Sequence, residues 1–201
     1  MRAPHVVGIG GTTRPGSTTE KALRFVLDEC RASGATTTGF AGPELAELPH
    51  FAPETPLRTA GARRLVEEYR RADGIVVASP GYHGGVSGLV KNALDYAEDL
   101  RDDPRVYFSG VAVGCVATGA GWQAAVSTLQ ALRSMVHALR GWPTPMGAAI
   151  NASLPVFGQD GTVVDEQVRF QLTTVGRDVM AFIGWRLGAT ESPGAGGQLR
   201  I

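Results

Sequence analysis

A doubly wound α/β domain is predicted for this chain of 201 residues by three observations: short apolar runs without period-two alternation, helical periodicity between them, and glycine-rich loops where the runs end. Runs of that kind suit parallel strands covered on both faces. The first is His5-Val6-Val7-Gly8-Ile9-Gly10, the next clear one Gly74-Ile75-Val76-Val77-Ala78, and the third Gly110 to Val116. Weaker strands are expected at residues 36–40, from their β-branched content, and at 145–151, which gives about five strands in all. Helical stripes fall between and after them. Leu23, Val26, Leu27 and Cys30 form one, and Leu89, Ala93 and Leu94 another. Val126, Leu129, Leu132, Val136 and Leu139 form a third, and Val168, Leu172, Val175, Val179, Phe182 and Ile183 a closing one.

Residues 42–56, with four prolines, and 151–162 read as long surface connections, and Gly188 to Gly197 is too polar and glycine-rich to pack. The expected organisation is one domain over residues 1–187 and a flexible tail over 188–201, with no internal repeat.

Composition excludes several classes of function. Hydrophobic residues make up 43% of the chain, enough for a sizeable core. Nineteen basic side chains balance nineteen acidic ones, so there is no net field to hold nucleic acid or an anionic lipid surface. No segment reaches the roughly 18 apolar residues of a membrane span, and the opening shows no cleavage-like site. A cytoplasmic location is expected. Cys30 and Cys115 are far apart and read as buried thiols, not as a disulfide or a metal cluster. His5, His50 and His137 are isolated, with structural or surface roles.

In a doubly wound sheet, ligands bind beyond the carboxyl ends of the strands where strand order reverses. The loop after the first strand, Gly10-Gly11-Thr12-Thr13-Arg14-Pro15-Gly16-Ser17-Thr18-Thr19-Glu20, leads into a helix. A capping box accounts for Ser17 and Glu20. Thr12, Thr13 and Thr19, with Arg14 and two glycines, exceed what a cap needs and suit an anion at the helix N-terminus. A dinucleotide fingerprint would require glycine where Thr13 stands, and a nucleoside triphosphate loop would require lysine where Ser17 stands. A single terminal phosphomonoester remains, with Arg14 as the bidentate cation.

After the third strand comes Ser79-Pro80-Gly81-Tyr82-His83-Gly84-Gly85-Val86-Ser87, followed by Lys91, Asn92 and Asp95 on a helix. This resembles the serine-proline-x-tyrosine turn and lysine-asparagine-x-x-aspartate helix of the NADPH-dependent FMN reductase family, a flavodoxin-like group. The first loop is similar to the family's glycine-serine-x-arginine-x-x-serine loop, carried by Gly11, Thr12, Arg14 and Ser17. The resemblance covers most of residues 5–140. It implies a flavodoxin-like five-stranded parallel sheet of order 2-1-3-4-5, with FMN as cofactor and NADPH or NADH as electron donor.

By resemblance, Thr12, Arg14, Ser17 and Thr19 hold the phosphate, while Pro80, Gly81, Tyr82, His83, Gly84 and Val86 lie against the ring. Thr118, Gly119 and Gly121 approach it from the loop after the fourth strand, where Trp122 covers the cofactor or packs at an interface. The family often has glutamate at the position of Gly81, asparagine at that of His83 and proline at that of Ser87. Lys91, Asn92 and Asp95 are expected to be a solvated or subunit-facing surface.

Hydride transfer between nicotinamide and flavin needs no protein acid or base, and the chain offers neither a hydrolase elbow nor zinc-spaced histidines. The implied activity is an NAD(P)H-dependent FMN reductase or quinone reductase passing electrons to a small-molecule acceptor such as free flavin. A flavodoxin-type electron carrier and a flavin-free binding module of the same fold are the alternatives. The resemblance also implies a homodimer or homotetramer and a flavin-dependent monooxygenase as a further partner; residues 43–57 and 142–157 are candidates for walls contributed to a neighbour's site, and are equally explicable as surface loops.

Overall fold

The structure is a computed structural model that describes residues 2–190. Strand β1 (His5–Gly10) leads through the first loop to helix α1 (Thr18–Ala32), and β2 (Thr36–Phe40) is followed by the short α2 (Gly42–Ala46) and by α3 (Ala60–Arg71). Strand β3 (Gly74–Tyr82) turns back as β4 (Gly85–Val86), and α4 (Gly88–Asp95) runs into a 3-10 turn at Tyr96–Leu100. Then come β5 (Ala112–Gly119), α5 (Trp122–Ala138), β6 (Trp142–Pro143), β7 (Ala148–Asn151) and α6 (Glu166–Thr190).

The parallel sheet has the order β2-β1-β3-β5-β6, with β7 also paired to β5 and β4 antiparallel to β3. This is the expected order. The fifth position is split: Ala112 and Val113 pair with Trp142 and Pro143, whereas residues 116–119 pair with 148–151. Pro143 and Pro145 lack the N–H that a continuous ladder requires.

Alternate residues of the central strands feed two cores. Val7, Ile9, Ile75, Val77, Val113 and Cys115 meet the side containing Leu65, Tyr69, Leu94 and Leu132 of α3, α4 and α5. Val6, Val76, Ala78 and Val116 meet Val26 of α1 and Leu172, Val175 and Val179 of α6. Burial on both faces explains why these strands read as unbroken apolar runs. Each buried aliphatic side chain contributes about 1.5–3 kcal/mol.

Periodicity placed one stripe slightly wrong. Val126 is exposed, and the buried face of α5 runs instead through Ala125, Thr128, Leu132 and Val136. The threonine enters because its hydroxyl finds a carbonyl partner on β4. Residues 188–190, expected to begin the tail, continue α6, and residues 191–201 lie outside the described residues. Burial pushes both thiols, Cys30 and Cys115, up to about 12. No helix among the described residues is long and apolar enough to cross a membrane.

Candidate functional site

The carboxyl ends of β1, β3 and β5 bring the three predicted loops to one edge of the sheet. Gly10 pairs with Ala78 and Pro80 with Thr118, so the loops emerge side by side. A cleft of about 180 Å³ opens between the first two, lined by Gly11, Thr12, Thr13, Pro80, Tyr82, Ser87, Gly88 and Leu89.

The first loop is held by its own hydroxyls. Thr12 Oγ1 accepts from the Arg14 amide at 3.2 Å, and Ser17 Oγ caps α1 by accepting from the Glu20 amide at 3.2 Å. The reciprocal half of the expected capping box is displaced by one residue: Glu20 Oε2 accepts from Gly16 N at 2.9 Å, while Oε1 accepts from Arg24 at 2.7 Å. Arg24 thereby neutralises the acid closest to the loop. The guanidinium of Arg14 is exposed and has no ion-pair partner among the described residues. The amides of Thr18 and Thr19, in the first turn of α1, have no intrahelical acceptor.

These groups fit a phosphomonoester. Free first-turn amides stand at a helix N-terminus, where the dipole favours negative charge, and the loop leading into it carries an uncommitted guanidinium. The neighbouring carboxylate is already engaged.

The second loop is a tight hairpin. Gly81 pairs with Val86 and Tyr82 with Gly85, leaving His83 and Gly84 as the turn, at φ +49° and +88°. Both lie in the left-handed region that a two-residue type I′ connection requires. Tyr82 is 54% exposed, and His83 and Gly84 are exposed. Ser79 Oγ accepts from the Ser87 amide at 3.0 Å, tying the hairpin exit to the end of β3, and Ser87 Oγ caps α4 at Val90 N.

Helix α5 lies directly against this hairpin. Thr128, fully buried, donates to Gly85 O at 3.3 Å. A Cβ on Gly81 would stand 2.4 Å from Thr128 Oγ1 and 3.0 Å from Ala124 O.

Thr19 and Thr118, both expected at the cofactor, are buried instead and hydrogen bond to each other, Oγ1 to Oγ1, at 2.6 Å. Their pairing locks the start of α1 to the end of β5. Gly119 is likewise buried under α5, where a Cβ would meet Ala125 N at 2.7 Å, whereas Gly121 sits in open space at the head of α5. Trp122 is 51% exposed.

Gly42 was not singled out in the sequence, and Asn92 was read there as solvated or subunit-facing surface. Gly42, at the start of α2, passes so close to the first loop that a Cβ would lie 1.7 Å from Thr12 O. It stands in a segment read as surface connection, and only its glycine identity hinted otherwise. Asn92 is a brace: its Oδ1 accepts from Phe51 N at 2.8 Å and its Nδ2 donates to Pro49 O at 2.9 Å. With Tyr96 on Pro49 O and Arg58 on Asp99, it pins residues 49–58 to this chain. Lys91 and Asp95, by contrast, form an exposed i,i+4 pair.

The fold and the order of the strands define a flavodoxin-like α/β protein. Residues 4–153 match the NADPH-dependent FMN reductase family, and the chain belongs to that family. It is 33% identical over 108 residues to an FMN-dependent NADPH-azoreductase of Staphylococcus aureus, an alignment covering 54% of each chain. The chain thus spans about half the length of the curated relatives it matches. In fold it is similar to the flavoenzyme FerB, an NAD(P)H:acceptor oxidoreductase of Paracoccus denitrificans (TM-score 0.74, 20% identity, covering 91% of this chain and 98% of that one). It is also similar to the NADH:FMN oxidoreductase EmoB in its apo form (TM-score 0.67, 22% identity, covering 95% and 92%).

Proposed function

We propose that this protein is an NAD(P)H-dependent flavin reductase that binds FMN at the loops after β1, β3 and β5. The observation that carries the proposal is that the loop bearing the uncommitted Arg14 guanidinium, which leads into the free first-turn amides of α1, lends Gly11, Thr12 and Thr13 to a cleft walled by Pro80 and Tyr82. Thr12, Arg14 and Ser17 receive the phosphate. Pro80, Gly81, Tyr82, His83, Gly84 and Val86 present a backbone edge and an aromatic face to the ring, and Gly121 borders it from the third loop. Thr19, Thr118 and Gly119 act from below, by fixing the distance between the first and third loops.

Bound there, the flavin supplies the redox chemistry, accepting hydride from a nicotinamide and passing two electrons to an acceptor. The residues around it orient the two molecules and restrict water, and no side chain is required to exchange a proton with the donor. The acceptor is a small planar electrophile, such as free flavin, a quinone or an azo compound. Exposed Tyr82 and Trp122 supply aromatic surfaces on which it can stack.

A cleft of about 180 Å³ is smaller than the roughly 300 Å³ at which enclosed ligand sites begin, so one chain leaves part of a flavin ring uncovered. This supports a homodimer or homotetramer in which a neighbour closes the site. It also supports release of reduced flavin, to a flavin-dependent monooxygenase among other acceptors.

Anaerobic titration of the FMN-loaded chain with NADPH and then NADH tests the proposal: loss of the oxidised flavin absorbance is expected, with recovery on adding acceptor. Flavin that stays oxidised under excess nicotinamide would favour a flavodoxin-type carrier. Failure to quench added FMN fluorescence would favour a flavin-free module.

A further inference from the structure

A cavity of about 450 Å³ lies at the opposite edge of the sheet, where β1 and β3 begin. Five arginines line it: Arg2, Arg70, Arg71, Arg105 and Arg186. Three of them already have carboxylates. Arg2 grips Asp73 with two bonds of 2.7 and 2.8 Å, Arg71 pairs with Glu68 at 2.9 Å, and Arg70 reaches both Asp103 and Glu67 at 2.7 Å. Asp73, the acid that itself faces the cavity, is thereby neutralised and also accepts from the His5 amide at 2.9 Å.

Arg105 and Arg186 differ. Arg105 donates only to main-chain carbonyls at the end of α3, those of Tyr69, Arg70 and Ala72, and Arg186 donates only to Gly110 O at 3.1 Å. Neither has a carboxylate among the described residues. Burial, reinforced by the charge of Arg186, pulls the Arg105 pKa below its ordinary value against the opposing pull of Asp73 and Asp103, and both arginines line the same cavity. The carbonyls hold the Arg105 fork in a fixed direction but return only the partial charge of a helix C-terminus.

We propose that this cavity is a binding site for a small multivalent oxyanion, of the diphosphate type, that bridges Arg105 and Arg186. Guanidinium N–H groups match phosphoryl oxygens, and two guanidiniums with no carboxylate in ion-pair contact, Arg105 through the N–H groups its carbonyl bonds leave free, match two phosphoryl groups. The site is remote from the loop holding Arg14 and does not depend on the flavin reading.

The test is calorimetric titration of inorganic pyrophosphate into the full chain saturated with FMN, so that the first loop is filled. Saturable binding is expected, weakened about tenfold or more by Arg186→Gln, which gives up one carbonyl contact and leaves the fold intact. Arg105→Lys, which keeps the charge and loses the fork, should weaken it as well, with circular dichroism checking the fold. Arg14→Gln without FMN should bind pyrophosphate at this cavity as the FMN-saturated parent does. Absence of saturable binding would overturn the proposal, as would an affinity unchanged by Arg186→Gln or lost only in Arg14→Gln.

Discussion

Replacing Gly81 by alanine probes the contact that shapes the hairpin. The added Cβ would lie 2.4 Å from Thr128 Oγ1, against an ordinary contact distance of at least 3.4 Å, so the hydroxyl or the hairpin must yield by about 1 Å. Thr128 cannot swing away freely. It is β-branched, fully buried, and bonded to Gly85 O. Overpacking of this kind costs about 1–3 kcal/mol, which for a chain of this size lowers the melting temperature by about 2–12 °C. Adding Thr128→Ala removes the obstructing oxygen but leaves Ala124 O at 3.0 Å, so recovery should be partial. The assay is a double-mutant cycle by thermal denaturation, in parallel with FMN affinity from fluorescence quenching. A coupling of about 0.5–2 kcal/mol in favour of the double variant is expected. A melting temperature unchanged by Gly81→Ala, or losses that simply add in the double variant, would refute the argument.

Arg14→Ala should weaken FMN about tenfold or slightly more, from the loss of about 1.5 kcal/mol of charge-assisted bonding at an exposed site, while thermal stability stays unchanged; fluorescence titration and a melting curve check the two halves. Gly42→Ala should destabilise by about 3 kcal/mol and abolish FMN binding, because its Cβ would lie 1.7 Å from a backbone oxygen that only movement of the whole first loop can displace. Glu68 predicts a pH effect at the other edge of the sheet. Burial pushes its carboxyl upward, but hydrogen bonds from His5 and Thr38 and the pull of His5 and Arg71 outweigh that, leaving the pKa below the ordinary value. Its stabilising contribution is therefore complete above the unfolded-state pKa and is lost as pH falls through the lower folded value. Chemical denaturation across that acidic range should show Glu68→Gln less stable than the parent near neutrality, with the difference shrinking toward low pH.

The two-sided burial and the three loops were legible because each depends on local pattern, whereas the strand order followed only from the family resemblance. Apolar runs without alternation mark strands covered on both faces, and glycines and hydroxyls after them mark an edge where a ligand approaches backbone. What the sequence hid depends on tertiary partners. Thr19 and Thr118, separated by 99 positions, looked like ligand contacts because nothing local reveals that they bond each other. Asn92 looked like solvated surface because its partners, Pro49 and Phe51, lie 43 and 41 residues away. The arginine-lined cavity was invisible for the same reason: its residues are scattered from Arg2 to Arg186, and the overall charge balance conceals a local excess.

The three departures from the family pattern around the hairpin have physical accounts in the packing. At position 81, helix α5 stands where any side chain would begin, so the residue must be glycine as long as Thr128 and Ala124 hold their places. At position 83 the backbone is left-handed, a conformation that histidine shares with asparagine more readily than with most residues, so the turn survives the exchange. At position 87 a proline would lack the N–H that here bonds Ser79 Oγ, and would also lack the hydroxyl that caps Val90. Serine therefore replaces the stiffness of a proline ring with two hydrogen bonds, one to β3 and one to α4. The hairpin keeps its shape by another means, and these three substitutions leave the backbone edge intact while changing the side chains displayed around it.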